Sequence, residues 1–236
     1  MMILAVLLAR MKSERLPGKI MKTLLGKPAI YHIMKRIERS RLIQKTIIAM
    51  PDTEKNIENG AYVNFCRDFH IELGSELNVL DRYYSAVTNF LKDEIPEELK
   101  LVRLTADCPL IDPGIIDDTI KAFLEKDTLD YMISDNISNP KGFDIEVFTF
   151  TALQKAWNSA SAPDDIEHVT PYIRNTGRFK CDVFRFKSGL PRDVNFSMDT
   201  QKDYELIKEI YEYYGNNNFS IDDIRLWYNK VKRNND

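Results

Sequence analysis

Seven apolar residues in succession, Met2 to Leu8, lead into a stretch that carries Arg10, Lys12, Arg15, Lys19 and Lys22. A run with no polar face has to be covered on both sides, so it reads as a strand of a parallel sheet flanked by helices. The chain then repeats this pattern. After a polar loop containing Pro17-Gly18, Pro28 stands at a first helical position, and Ile30, Ile33, Met34 and Ile37 recur at helical spacing. The same logic predicts a strand over Lys45–Met50, a polar helix to about Phe69, a short strand around His70–Leu73 and a helix over Val79–Leu91. Leu99–Thr105 reads as a further strand, and Asp112-Pro113 as the cap and first turn of a helix with Ile115, Ile116, Ile120 and Phe123 on its core face. Parallel neighbours need crossover helices, so this alternation predicts an α/β fold: a mostly parallel central sheet with helices on both faces.

From Asp130 the rhythm changes. Extended pieces are expected at Tyr131–Ser134, Phe143–Phe150 and Phe179–Lys187, with helices over Thr151–Ser159 and Pro163–Asn175. Residues of about 134–191 read as an elaboration on the same core, so that 1–236 forms one domain. A short strand over Val194–Met198 should precede a helix capped by Thr200 with Asp203 three residues on, and a final helix should begin at Ser220.

Composition removes several function classes. With 44% hydrophobic and 29% charged residues the chain can bury a full core, which excludes general disorder. Cys66, Cys108 and Cys181 lie far apart with no C-x-x-C pair, so neither a disulfide framework nor a structural zinc site is supported, and a cytoplasmic location is expected. The opening apolar run is too short to span a bilayer and lacks the basic lead of a signal peptide, so no membrane association is expected. A net charge of −3 argues against a broad nucleic-acid footprint.

Positive charge is instead concentrated locally. From Arg10 to Lys22, five basic residues stand against Glu14 alone, a local net of +4. In an open parallel sheet, ligands bind beyond the carboxyl ends of the strands, and this loop follows the first strand. Arg forks and Lys ammonium groups there suit a polyphosphate, although a basic loop of this kind is also what a solvated surface loop looks like. Neither a Walker loop nor a G-x-G-x-x-G fingerprint occurs. Asp107 follows the Leu99 strand and Asp199 the Val194 strand. Either could be a turn residue, but together they could hold Mg²⁺, which is commonly bound by one or two carboxylates plus substrate phosphates. Cys108 lacks a His placed to activate it and reads as a small buried thiol.

Five segments carry a family resemblance: Ala9-Arg10-Met11-Lys12-Ser13-Glu14-Arg15-Leu16-Pro17-Gly18-Lys19, Asn78 to Tyr83, Thr105-Ala106-Asp107-Cys108-Pro109-Leu110-Ile111-Asp112-Pro113, Glu167-His168-Val169-Thr170-Pro171-Tyr172 and Met198-Asp199-Thr200. In order and combination they resemble the spore coat polysaccharide biosynthesis type of cytidylyltransferase, a branch related to the CMP-Kdo and CMP-sialic acid synthetases. The likeness covers roughly residues 2 to 214. It departs at Leu8, Lys12, Glu14 and Ala106, where these proteins often carry Gln, Gly, a small hydroxyl residue and Gly.

The resemblance implies a Rossmann-like nucleotidyltransferase fold that uses CTP, a sugar or sugar-phosphate-like acceptor and Mg²⁺. Arg10, Ser13, Arg15 and Lys19 would contact phosphates. Leu8, Ala9, Asp52 and Arg82 would complete the nucleotide site, and Asp107 and Asp199 would be the metal ligands. Arg15, Lys19, Asp107 and Asp199 would carry catalysis. On the acceptor side, Asp144, Glu146 and His168 would reach acceptor hydroxyls, while an alternating strand with its polar face in water accounts equally for the first two and a capped or surface helix residue equally for His168. A homodimer is implied as well. Three competing readings are use of another nucleoside triphosphate, a glycosyltransferase consuming a nucleotide sugar, and a catalytically silent nucleotide-binding subunit.

Overall fold

The computed structural model describes residues 1–54, 68–92 and 94–231. The polar helix expected between Pro51 and Phe69 lies largely outside the described residues. Strand β1 (Met2–Leu8) is followed by a minimal hairpin of β2 (Thr23–Leu24) and β3 (Lys27–Pro28), then helix α1 (Ala29–Ile37). Strands β4 (Lys45–Pro51) and β5 (Ile71–Gly74), helix α2 (Val79–Leu91), strand β6 (Leu99–Thr105) and helix α3 (Pro113–Leu124) continue the alternation. Then come β7 (Tyr131–Ser134), β8 (Glu146–Thr149), α4 (Phe150–Ser159), α5 (Pro163–His168), α6 (Pro171–Asn175), β9 (Cys181–Phe184), α7 (Gln201–Tyr214) and α8 (Ile221–Val231).

Seven strands form one sheet in the order β5-β4-β1-β6-β8-β7-β9. The pairs β4–β5, β1–β4, β1–β6 and β7–β9 are parallel, and only β8 runs against its two neighbours. The alternation of β1 explains why its run had to be apolar throughout. Ile3, Ala5 and Leu7 pack under α1 and α3, with Ile30, Ile33, Ile116 and Ile120, while Leu4, Val6 and Leu8 pack under α2 and α4, with Leu80, Tyr83, Leu153 and Ala156. Each fully buried aliphatic side chain in such a layer contributes about 1.5–3 kcal/mol.

The order of the strands reverses around β1, which sends one crossover to β4 and has β6 on its other side. That is where an open α/β sheet leaves a crevice at its carboxyl edge. Leu8 lies level with both Ala49 and Thr105, and the Ala106 amide continues the ladder by donating to the Leu8 carbonyl at 2.9 Å. The loops after β1 and β6 therefore leave the sheet side by side.

A third cluster fixes the far ends of those loops. Helices α7 and α8 bring Ile207, Ile210, Tyr211 and Trp227 against Leu16, Leu24 and Leu110. Arg36 is buried here and donates to the carbonyl oxygens of Ile111 (2.6 Å), Leu110 (3.4 Å) and Phe219 (3.0 Å), so it pins the segment after β6 to the carboxyl-terminal region. Burial lowers its pKa to about 10, so it remains a cation at neutral pH.

Three sequence expectations are corrected. Phe143–Phe150 forms a strand only over Glu146–Thr149, because Gly142 at φ 113° turns the chain before it. Pro163–Asn175 is two short helices, broken where Val169 takes φ 70° and Pro171 begins the second. Val194–Met198 makes no strand. Its backbone amides are taken up singly, Phe196 by the Lys141 carbonyl at 3.0 Å and Met198 by that of Asp107 at 2.6 Å. The capping box of Thr200 and Asp203 is present as expected.

Candidate active site

The loop after β1 folds back on itself. Ser13 Oγ accepts from the Leu16 amide (3.4 Å), the Gly18 amide donates to the Met11 carbonyl (3.1 Å), and Gly18 itself adopts φ 65°, a conformation that favours glycine. A single 3₁₀ turn, Lys19–Met21, follows. Leu16 and Ile20 point inward and are buried, which anchors the loop and leaves Arg15 exposed and Lys19 aimed across the crevice.

Lys19 Nζ lies 3.1 Å from Asp107 Oδ2 and 3.1 Å from Asp199 Oδ1, and Arg15 adds a second cation 3.4 Å from the same Asp199 oxygen. The two acids are 92 positions apart in sequence, and the Met198–Asp107 backbone bond is what sets them face to face. Burial opposes ionisation of Asp107. The charge of Lys19, with hydrogen bonds from Thr105, Lys19 and Cys108, outweighs it and holds the carboxyl below its ordinary range. Cys108 shows the reverse, since burial and then the Asp107 charge push its thiol well above the ordinary value, which disfavours the thiolate.

Three cavities meet at Asp107. The largest, about 1100 Å³, is lined by the basic loop from Arg10 to Lys19, all but the inward-facing Leu16, together with Glu76, Glu167 and Asp199. A smaller one of about 230 Å³ continues between Leu8, Ala9, Val79 and Arg82. Sharing Asp107 and Asp199 with the groove, a pocket of about 330 Å³ is walled by Asn136, Lys141, Asp144, Glu146, His168 and Arg174.

The chain was expected to place Arg10, Ser13, Arg15, Lys19, Asp107 and Asp199 together, and they do line one groove. Leu8, Ala9 and Arg82 line the adjoining pocket. Arg82 is buried there, with Nη1 donating to the Ser75 carbonyl at 2.5 Å, so it also braces the turn before α2. Asp52 is exposed at the end of β4 and is not among the residues lining these three cavities. Asp144 lines the pocket of about 330 Å³, and burial raises its carboxyl above the ordinary range.

Glu146 lines the same pocket, but its oxygens are engaged. It accepts from Arg103 Nη1 at 2.7 Å, Tyr131 Oη at 2.7 Å and Thr170 Oγ1 at 2.9 Å. Burial raises its pKa, and Arg103 first among its partners more than reverses this, so it is a buried anion that positions its neighbours. His168 ends α5, is exposed, and its Nε2 lies 3.5 Å from Asp164; it lines the rim of both smaller cavities.

Sequence reasoning passed over Arg103, Glu76, Lys141 and Arg174. Arg103 had a signal, a cation set between Val102 and Leu104 well inside the strand, where Lys100 lies near its start. Glu76 pairs with Lys12 at 2.6 Å across the groove mouth, a contact between distant loops that no local pattern reveals.

A family model described as cytidylyltransferase matches residues 4–229, a span that extends beyond the motifs into the last helix. The chain belongs to the cytidylyltransferase family. Among its relatives, an uncharacterised protein of Methanocaldococcus jannaschii is 34% identical over 218 residues, covering 91% of this chain and 85% of that one. The spore coat polysaccharide biosynthesis protein SpsF of Bacillus subtilis is 31% identical over 220 residues, covering 89% and 86%. A 3-deoxy-manno-octulosonate cytidylyltransferase of Geobacter sulfurreducens is 30% identical over 128 residues, 53% of this chain but only 46% of its own length. The solved structure of a cytidylyltransferase from Leptospira borgpetersenii superposes with a TM-score of 0.84 at 27% identity, covering 98% and 94%. The chain is thus an enzyme of the cytidylyltransferase class. Among the described residues no helix is long and apolar enough to cross a membrane.

Were Mg²⁺ to bind here, Asp107 and Asp199 would be the carboxylates placed to hold it. Two carboxylate oxygens converge on the Lys19 ammonium, and among the described residues no group of three metal-ligating side chains occurs, so phosphate oxygens would have to complete the shell.

Proposed function

We propose that this enzyme transfers a cytidylyl group from CTP to a sugar or sugar-like acceptor, with release of pyrophosphate, in the building of a surface glycan. The convergence of Lys19, Asp107 and Asp199 at the boundary between a basic groove and a separate polar pocket carries this reading. The groove has the charge for a triphosphate, and the pocket beyond Asp107 has hydroxyl-binding groups for a second substrate. The relatives named for spore coat polysaccharide and octulosonate chemistry support a sugar-like acceptor.

In the reaction, an acceptor oxygen attacks the α-phosphorus in line. The new bond joins that oxygen to phosphorus, and the bond to the bridging oxygen of the β-phosphate breaks as pyrophosphate leaves. Arg10, Arg15 and Lys19 hold the triphosphate and offset the charge that grows on the leaving pyrophosphate. Magnesium bound at Asp107 and Asp199 would supply charge neutralisation at the phosphate oxygens. Asp144 hydrogen-bonds an acceptor hydroxyl and so orients the attacking group. We place the protein in the cytoplasm as a homodimer, which sedimentation of the full chain tests.

The deciding experiment is a pyrophosphate-release screen of four nucleoside triphosphates against acidic sugars, sugar phosphates and polyol phosphates, with and without Mg²⁺. Release that needs CTP, Mg²⁺ and one acceptor supports the proposal. Release with a different triphosphate corrects the base, and turnover of a nucleotide sugar without pyrophosphate replaces the reading by glycosyl transfer.

A further inference from the structure

Lys19 stands where a cation shared by Asp107 and Asp199 would stand. Its ammonium touches Asp107 Oδ2 and Asp199 Oδ1 at 3.1 Å each, and Arg15 crowds the second oxygen at 3.4 Å. We propose that Lys19 is a resident counter-ion that keeps free divalent metal out of the site, so that metal enters only with, or after, the triphosphate. This rests on the functional reading above and adds an order of binding to it.

The argument is one of charge and of which parts can move. Two carboxylates are already balanced by two cations. A divalent ion arriving alone would add two more positive charges in a place where Lys19 is only 13% exposed and water screens poorly. A triphosphate changes the balance, because its anionic oxygens give Arg15 and Lys19 new partners and release the inner carboxylate oxygens.

The structure lets this happen without refolding. The backbone of Lys19 is pinned, its amide donating to the Leu16 carbonyl and its carbonyl accepting from the Lys22 amide, so only the flexible four-carbon stem has to swing. Asp107 and Asp199 stay opposed when it leaves, because the 2.6 Å Met198–Asp107 backbone bond does not involve Lys19. The gate is therefore one side chain.

The test titrates Mn²⁺ into the full chain without nucleotide and follows it by electron paramagnetic resonance. Wild type should bind Mn²⁺ at least tenfold more weakly than Lys19→Met, and Lys19→Arg, which keeps the charge, should stay as weak as wild type. Lys19→Gln gives a second uncharged variant should the Met variant fail to fold by circular dichroism. Adding Asp107→Asn to the uncharged variant should abolish the gain, which places the ion at this site. Equal Mn²⁺ affinity in wild type and in the uncharged variants would overturn the proposal. Calorimetry with CTP alone reports separately on the functional reading: absence of CTP binding sinks that reading, whereas CTP binding with no Lys19 effect on Mn²⁺ sinks only the gate.

Discussion

Of the three cavities that meet at Asp107, the basic groove and the pocket beside Asp144 are walled by different kinds of structure. On the side proposed for the nucleotide, cations from one continuous loop reach acids at the ends of other segments, Lys19 from a largely covered position and Arg15 from the exposed rim. On the acceptor side, the antiparallel strand β8 carries Glu146 into the sheet, where Arg103, Tyr131 and Thr170 saturate it. The first side is held together by charges that a substrate can take over. The second is held by a buried network that stays in place, with Asp144 the carboxylate left facing the cavity. The comparison teaches that carboxylates lining one site differ in their surroundings: Asp107 and Asp199 are held by side-chain cations of a loop, which on the proposed reading exchange for metal and phosphate, whereas Glu146 is framework.

The largest effect that tests this division is on turnover. Asp107→Ala should lower Mg²⁺-dependent pyrophosphate release by roughly 10³-fold or more, while circular dichroism and thermal melting stay near wild type. A variant as active as wild type would remove Asp107 from the chemistry.

Glu146 should show the opposite pattern. Glu146→Leu leaves Arg103 buried without its anion and should destabilise the fold by about 3–5 kcal/mol in denaturant titration. The double variant Arg103→Met/Glu146→Leu should recover most of that loss. If Glu146→Leu unfolds like wild type and loses only acceptor affinity, the division between the two sides is wrong.

A smaller effect is expected where the two sides touch. Gly142 takes φ 113°, and a Cβ there would lie 2.5 Å from the Phe196 backbone, in the segment that delivers Asp199. Gly142→Ala should cost about 1–3 kcal/mol and reduce turnover together with stability.

The smallest effect concerns pH. Burial raises the Asp144 pKa, so the folded state binds a proton more readily than the unfolded chain. Its favourable contribution is complete below the unfolded aspartate value, and it is lost as pH rises through the folded value. Asp144→Asn should therefore raise the melting temperature at neutral pH and flatten its fall above the acidic range, while weakening acceptor use. An unchanged pH profile would show that Asp144 is solvated in the free enzyme.

Much of the nucleotide side was legible because each of its parts is local. The apolar run Met2–Leu8, the basic loop after it and Asp107 after β6 are all read from adjacent residues, and the parallel sheet then brings them together. Asp199 was legible as a residue but not by the reason first given for it. It does not follow a strand; two single backbone bonds carry the Phe196–Met198 segment to it, and such pairings leave no periodic trace. The acceptor side was less legible for the same physical reason. The break at Val169 and Thr170, which delivers a hydroxyl to Glu146, depends on a backbone conformation unusual for valine that tertiary packing imposes. Hydrophobic alternation over Phe143–Phe150 gave a strand, but not the knowledge that Glu146 faces a half-buried arginine.

A crystal structure of the full chain with CTP and Mn²⁺, read by anomalous scattering, tests the central claim most directly. The account predicts a metal peak between Asp107 and Asp199, with the Lys19 ammonium moved onto a phosphate oxygen. Triphosphate bound away from the Arg10–Lys19 loop, or bound there with Lys19 still bridging the two carboxylates and no metal between them, would contradict it.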